Sequence, residues 1–392
     1  MKIRLFYHSL ISDWNHGNAH FLRGYATELI ASGHDVLVYE PADGWSAKNL
    51  REEHGEDPIR RFHAAYPLLK SIGYDLASFD LDDAVEEADL VIVHEWNSPE
   101  LVKRIGDARR RHGFVALFHD THHRLVTDRS SLRAYDLRHY DGVLAYGNVL
   151  RDLYLREGLA ERAWTWHEAA DTRVFQPIES AAKQGDLVWI GNWGDNERTE
   201  ELQEFLLGPI KALGLKARVY GVRYPQHALD ALADAGVSYG GWLPNFEVPE
   251  VFSRFKLTVH VPRRPYVKAL PGIPTIRPFE ALACGIPLVC SPWSDAEHLF
   301  TSNDFVSARN GREMTRQIES LLGNPKHRSR LARDGLVSIR SRHTCAHRVG
   351  ELLDIFDHLV SAPAPQKRRR PADVTSVPVP SPALIRSALA LA

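Results

Sequence analysis

The sequence predicts an α/β protein made of two parallel-sheet domains. Strand and helix signals alternate along most of the chain, and a second such series starts after a polar, turn-rich stretch. The 392 residues are also more than one ordinary hydrophobic core accommodates.

Ile3 to Tyr7 reads as the first strand, followed by helical spacing in Phe21, Leu22, Tyr25, Leu29 and Ile30, with Gly33 placed as a C-terminal cap. The strands DVLVY, LVIVH ending at His94, FVALFH ending at His119 and GVLAY ending at Tyr146 complete the first series. The turn-rich run DTRVFQPIESAAKQG puts the boundary near Gln176 to Gly185. DLVWIG, a helix from Thr199 to Leu207, ARVYG, LTVHV, a helix around Pro278 to Cys284 and IPLVCS form the second series. The expected organisation is therefore a first domain over 1–178, a second over 179–345, and a packing helix over 346–360. The proline-rich, basic stretch 361–392 cannot bury enough apolar surface to order itself and reads as a disordered tail.

Hydrophobic residues make up 44% and charged residues 25%, the balance of a globular protein. A formal charge of −2 provides no global basic field, so no specific nucleic-acid partner is expected and phosphate recognition has to be local. Cys284, Cys290 and Cys345 are an odd set without metal-like spacing, which fits a reducing compartment and a cytoplasmic protein. The apolar run in MKIRLFYH is too short for a signal peptide, and no stretch is long and apolar enough to span a bilayer. KRRR in the tail suits peripheral contact with an acidic membrane surface.

Open parallel sheets bind ligands beyond the carboxyl ends of their strands, so the residues there carry the site predictions. After the first strand, Gly17 and Asn18 precede a helix, and with His20 they form a candidate surface for a sugar hydroxyl or an anion. The run FHDTHHR contains His119, Asp120, His122 and His123; successive loop residues rarely converge on one ion, so no metal is expected there. His119 or Asp120 is instead the candidate proton acceptor. DLVWIG runs into GNWGDNER, where Gly191, Asn192 and Gly194 form a turn able to present N–H groups to a diphosphate, with Arg198 close by. The turn lacks the G-x-G-x-x-G dinucleotide fingerprint. VPRRPYVKALPG adds Arg263 and Lys268 as further candidate diphosphate ligands. In TIRPFEALACGIPLVCSPW, Glu280 sits on a short helix with small residues, placed to accept both hydroxyls of a ribose.

Three stretches resemble the GT-B glycosyltransferases, and among them the spore-maturation CgeB-like group: RPFEALACGIPLV, RHTCAHRV from Arg342 to Val349, and HGNAHFLRGYATELIASGHDVLVYEP. The likeness runs over residues 1–360. It implies two Rossmann-like domains facing each other across a cleft, a nucleotide-sugar donor held mainly by the second, an acceptor on the first, and closure by domain motion. It further implies Glu280 on the donor ribose, Arg277 near the phosphates and His119 against the transferred sugar, without a metal or other cofactor. Gly272 departs from the pattern, since many retaining members carry a second glutamate there. The function expected is transfer of a sugar to a glycan, lipid or protein acceptor that the sequence leaves open. A nucleotide-sugar epimerase, or an inactive nucleotide-sugar-binding scaffold, fits the same two domains.

Overall fold

A computed structural model describes residues 1–361, apart from 129, 131, 132, 180, 181 and 195; the tail expected over 361–392 thus lies outside the described residues from 362 onward. The first sheet contains β1 (Lys2–Phe6), β2 (Asp35–Pro41), β3 (Ser71–Tyr74), β4 (Leu90–His94), β5 (Val115–Asp120), β6 (Gly142–Ala145) and β7 (Ala163–Thr165). The second contains β8 (Gly185–Ile190), β9 (Ala217–Tyr220), β10 (Ser238–Tyr239), β11 (Phe255–His260), β12 (Leu288–Cys290) and β13 (Val306–Ser307). The orders are β3-β2-β1-β4-β5-β6-β7 and β10-β9-β8-β11-β12-β13. Every ladder is parallel.

Helices cover both faces of each sheet, which is why central strands such as LVIVH and VALFHD are buried at every position and read as continuous apolar runs. The short edge strands β3, β10 and β13 escape the sequence pattern because most of their residues are partly or fully exposed. The helix Ala19–Ala31 follows β1 and buries Phe21, Leu22, Tyr25 and Leu29 against the first sheet. After it, the N–H groups of Gly33 and His34 donate to Ile30 and Leu29, and the φ of +85° at Gly33 suits a residue without Cβ.

The helices Gly311–Gly323 and Pro325–Arg342 pack in the second domain, and the last helix, Cys345–Ser361, crosses back onto Ala19–Ala31. The RHTCAHRV stretch makes that crossing. His343 Nε2 donates to the Leu299 carbonyl at 2.6 Å, leaving Nδ1 to accept from the Arg348 guanidinium at 3.1 Å. Arg348 Nε donates to the His167 carbonyl, the Trp166 indole N–H donates to the Arg348 carbonyl, and a parallel bridge joins Ala170 to Thr344.

At the crossing, a Cβ on Gly24 would stand 2.4 Å from Cys345 Sγ and 2.8 Å from Asp171 Cβ. Gly24→Ala is therefore expected to destabilise the protein by about 1–3 kcal/mol through overpacking, despite alanine's better helix propensity. Chemical denaturation measures it; an unchanged midpoint would show that the crossing helix gives way.

Candidate functional site

The carboxyl ends of the two sheets face each other, and the space between them is a cleft of about 750 Å³. Its first wall begins with the loop 8–18. Glu40 accepts from Ser9 Oγ at 2.8 Å and from the Leu10 N–H at 2.9 Å. The fully buried Arg23 donates to the carbonyls of Leu10 and Ile11 and to Asp13 Oδ2 at 2.7 Å. Fixed in this way, the loop turns His8, His16, Gly17 and Asn18 toward the cleft. Asp13 also joins the two domains, accepting from the Trp242 indole and the Asn245 N–H, each at 3.0 Å.

Beyond β5, Thr121, His122 and His123 line the same wall. Burial, then the neighbouring charges of His123, Arg124 and Arg263, push His122 down to about 2, and burial pushes His8 down to about 4, so both are neutral near pH 7.

The opposite wall centres on the turn after β8. Gly191, Asn192 and Arg198 line the cleft. The two glycines make room for the arginine: a Cβ on Gly191 would stand 3.3 Å from an Arg198 guanidinium nitrogen, and one on Gly194, where φ is +95°, 3.1 Å from Arg198 Nε. Arg198 donates to the carbonyls of Val261 at 2.8 Å and Asn192 at 2.5 Å and lies over the Trp189 ring. It has no carboxylate partner among the described residues. Burial, then the like charge of Arg263, push its guanidinium below the ordinary arginine value. Asn192 is hydrogen-bonded to Asn15 across the cleft. Arg263 follows β11 and pairs with Glu197 at 3.1 Å. Arg277 lies on the helix Ile276–Ala283, directly after Thr275, whose φ of +62° is a strained conformation for a β-branched residue at a cleft wall.

Among the predicted site residues, Gly17, Asn18, Gly191, Asn192, Arg198, Arg263 and Arg277 come together around this cleft. Five others do not line it. His119 has no solvent exposure: its Nδ1 lies 2.5 Å from the Tyr7 hydroxyl, and Phe21 and Trp166 pack against the ring. Burial pushes it down to about 3, so the ring is neutral near pH 7, and it does not line the cleft. Asp120 is also buried, accepting from the Tyr154 hydroxyl at 2.7 Å and the His122 N–H at 3.0 Å.

His20 and Glu280 meet each other beneath the cleft. The Asp171 N–H donates to His20 Nε2 at 2.8 Å, which leaves the ring proton on Nδ1, 3.2 Å from Glu280 Oε1. Glu280 also accepts from Asn245 Nδ2 at 2.7 Å and pairs with Arg277, and it has no solvent exposure. Burial alone would raise the Glu280 carboxyl, but Arg277, His20 and Asn245 outweigh it and hold the group below the ordinary glutamate range. Its carboxylate thus braces the two domains and orients Arg277 rather than facing the cleft. Lys268 lies exposed on the helix Arg264–Ala269, outside the cleft lining. Among the described residues, no three His, Cys, Asp or Glu side chains are grouped so as to hold a metal ion.

Glu168 is a cleft-lining acid that the sequence reading missed. It follows the three-residue strand β7 and stands in no recognisable motif. Its position in WHEAAD, just beyond a strand end, was the available signal.

Two domains with parallel sheets facing across such a cleft define the GT-B glycosyltransferase fold, and solved structures agree. Sucrose-phosphate synthase from Thermosynechococcus elongatus superimposes with a TM-score of 0.64 at 14% identity, covering 92% of this chain and 99% of that one. Anabaena HepE in complex with UDP-glucose gives 0.63 at 15%, covering 91% and 100%. The T4 phage β-glucosyltransferase in complex with its UDP-glucose substrate gives 0.58 at 13%, covering 92% and 100%. In sequence, residues 198–354 match the family described as "Glycosyl transferase-like". No curated protein matches the chain. Among the described residues, no helix is long and apolar enough to cross a membrane.

Proposed function

We propose that this protein is a glycosyltransferase that takes a hexose from a uridine diphosphate sugar and passes it to an acceptor held by the first domain. The observation that carries this reading is the convergence of Arg198, Arg263 and Arg277 on one wall of the cleft, beside the turn after β8. Three cations on one wall suit a diphosphate, whose charge grows as the glycosidic bond breaks. Arg198 supports it most directly, because its charge is left for a ligand. Two of the structural neighbours hold UDP-glucose, which favours uridine as the base. The aromatic residues Tyr220 and Trp242, on the same side of the cleft, offer faces for a base. The RPFEALACGIPLV and RHTCAHRV stretches favour the CgeB-like group within the fold.

With arginines neutralising the diphosphate, the reaction needs no metal. Calorimetry with UDP, ADP and GDP is expected to give saturable binding of UDP, and turnover of UDP-glucose is expected to persist in EDTA. Absent binding of all three would remove the nucleotide-sugar reading, and equal binding only the choice of uridine; loss of turnover in EDTA with recovery on adding Mg²⁺ would remove only the metal-independent part.

A further inference from the structure

We infer that Glu168 is the group that takes the proton from the acceptor hydroxyl, an assignment that rests on the transferase reading above. The residue sits where the two domains meet, on the segment after β7. That segment is held on both sides: the Trp166 N–H donates to the Ala145 carbonyl at 2.7 Å, the Ala170 N–H to the His343 carbonyl at 2.9 Å, and the Cys345 N–H to the Ala170 carbonyl at 2.9 Å. His167 Nε2 lies 2.7 Å from Glu297 Oε2, and Glu297 Oε1 accepts from the Asn148 N–H. A side chain on so restrained a backbone keeps its direction.

Glu168 is 6% exposed and lines the cleft. One oxygen, Oε1, accepts from Asn18 Nδ2 at 3.1 Å, and Asn18 is the carboxylate's only hydrogen-bond partner among the described residues. On the wall contributed by the first domain, the only other carboxylate lining the cleft among the described residues is Asp13, both of whose oxygens are occupied by Arg23, Trp242 and Asn245. The histidines of that wall bind protons weakly, His8, His16, His122 and His123 all being pushed down by burial first.

The charged and titratable groups acting on Glu168 are Tyr146 on its own domain, Glu280, Arg277 and Tyr266 from the second domain, and Cys345 on the last helix. Burial dominates, the Asn18 hydrogen bond and Arg277 oppose it, and the carboxyl is raised to about 8.

The chemistry balances without any other reactant. The acceptor oxygen forms a bond to the anomeric carbon as its proton passes to Glu168 Oε2. The bond between that carbon and the diphosphate oxygen breaks, and its electron pair leaves on the diphosphate, facing Arg198, Arg263 and Arg277. Attack by the acceptor oxygen as the diphosphate departs from the opposite side of the anomeric carbon is a single displacement, which inverts the anomeric configuration.

UDP-glucose with methanol as a small acceptor tests the assignment, followed by release of UDP and by the anomer of methyl glucoside in NMR. Glu168→Gln is expected to lower kcat by roughly 10²- to 10⁴-fold with UDP affinity retained. In the wild type, kcat/KM should rise with pH through about 8 as the carboxylate forms, and this limb should vanish in the variant. Glu168→Asp, a second variant in case Gln folds poorly, should keep the limb at reduced rate. Undiminished turnover in Glu168→Gln, a limb that falls with rising pH, or retention of configuration overturns the assignment and leaves the transferase reading standing. No UDP release by the wild type overturns that reading and the assignment together.

Discussion

Arg198→Ala is expected to weaken UDP binding on the order of 10²-fold or more while leaving the fold almost as stable as before. Removing a buried, hydrogen-bonded charge from an anion typically costs about 2–5 kcal/mol. No carboxylate among the described residues pairs with Arg198, so its removal strands no buried anion. What the protein itself loses is two hydrogen bonds to the carbonyls of Val261 and Asn192 and the contact with Trp189. Lys268→Ala is the control: its side chain is exposed and away from the cleft lining, so UDP should bind that variant as it binds the wild type. Titration calorimetry on the two variants decides the matter. Wild-type affinity in Arg198→Ala would move the diphosphate off the turn after β8.

Glu280→Ala carries the other large effect, and it separates two roles for the same carboxylate. A ribose ligand facing a cleft would lose nucleotide affinity and little stability when truncated. The structure gives Glu280 no exposure and sets it among His20, Asn245 and Arg277. Breaking a buried pair from one side leaves the other charge unpaired and costs about 3–5 kcal/mol, here a fall of roughly ten degrees in Tm. UDP affinity should fall as well, as a consequence of Arg277 losing its anchor.

The pH dependence has a definite sign. The folded carboxyl is held below the ordinary value of 4.5, so its contribution is complete above that pH and is lost as the pH falls through the folded value. The Tm difference between wild type and Glu280→Ala should therefore be widest near neutrality and close in acid. A variant with unchanged Tm and lost UDP binding would restore the ribose role.

Much of this protein was legible from spacing alone. Continuous apolar runs such as LVIVH and DLVWIG mark strands covered on both faces, and their alternation with helical spacing implies two parallel sheets. Parallel sheets place loops at one edge, which is why Gly17, Asn18, Gly191, Arg198 and Arg263 could be singled out by their positions near strand ends. Glu280 was legible as special by its helix and small neighbours, though its partners were not.

Tertiary packing decided which strand-end residues meet the cleft. His119 and His122 stand three positions apart, yet Phe21 and Trp166, distant in sequence, close over the first, while the second lines the cleft. Glu168 became a candidate only because the crossing of the last helix pins WHEAAD between the domains. Local sequence sets backbone conformation and the side of an element a residue faces. Solvent access, charge partners and the proton affinity of a carboxyl depend on residues brought together from far along the chain, and these the folded structure alone determined.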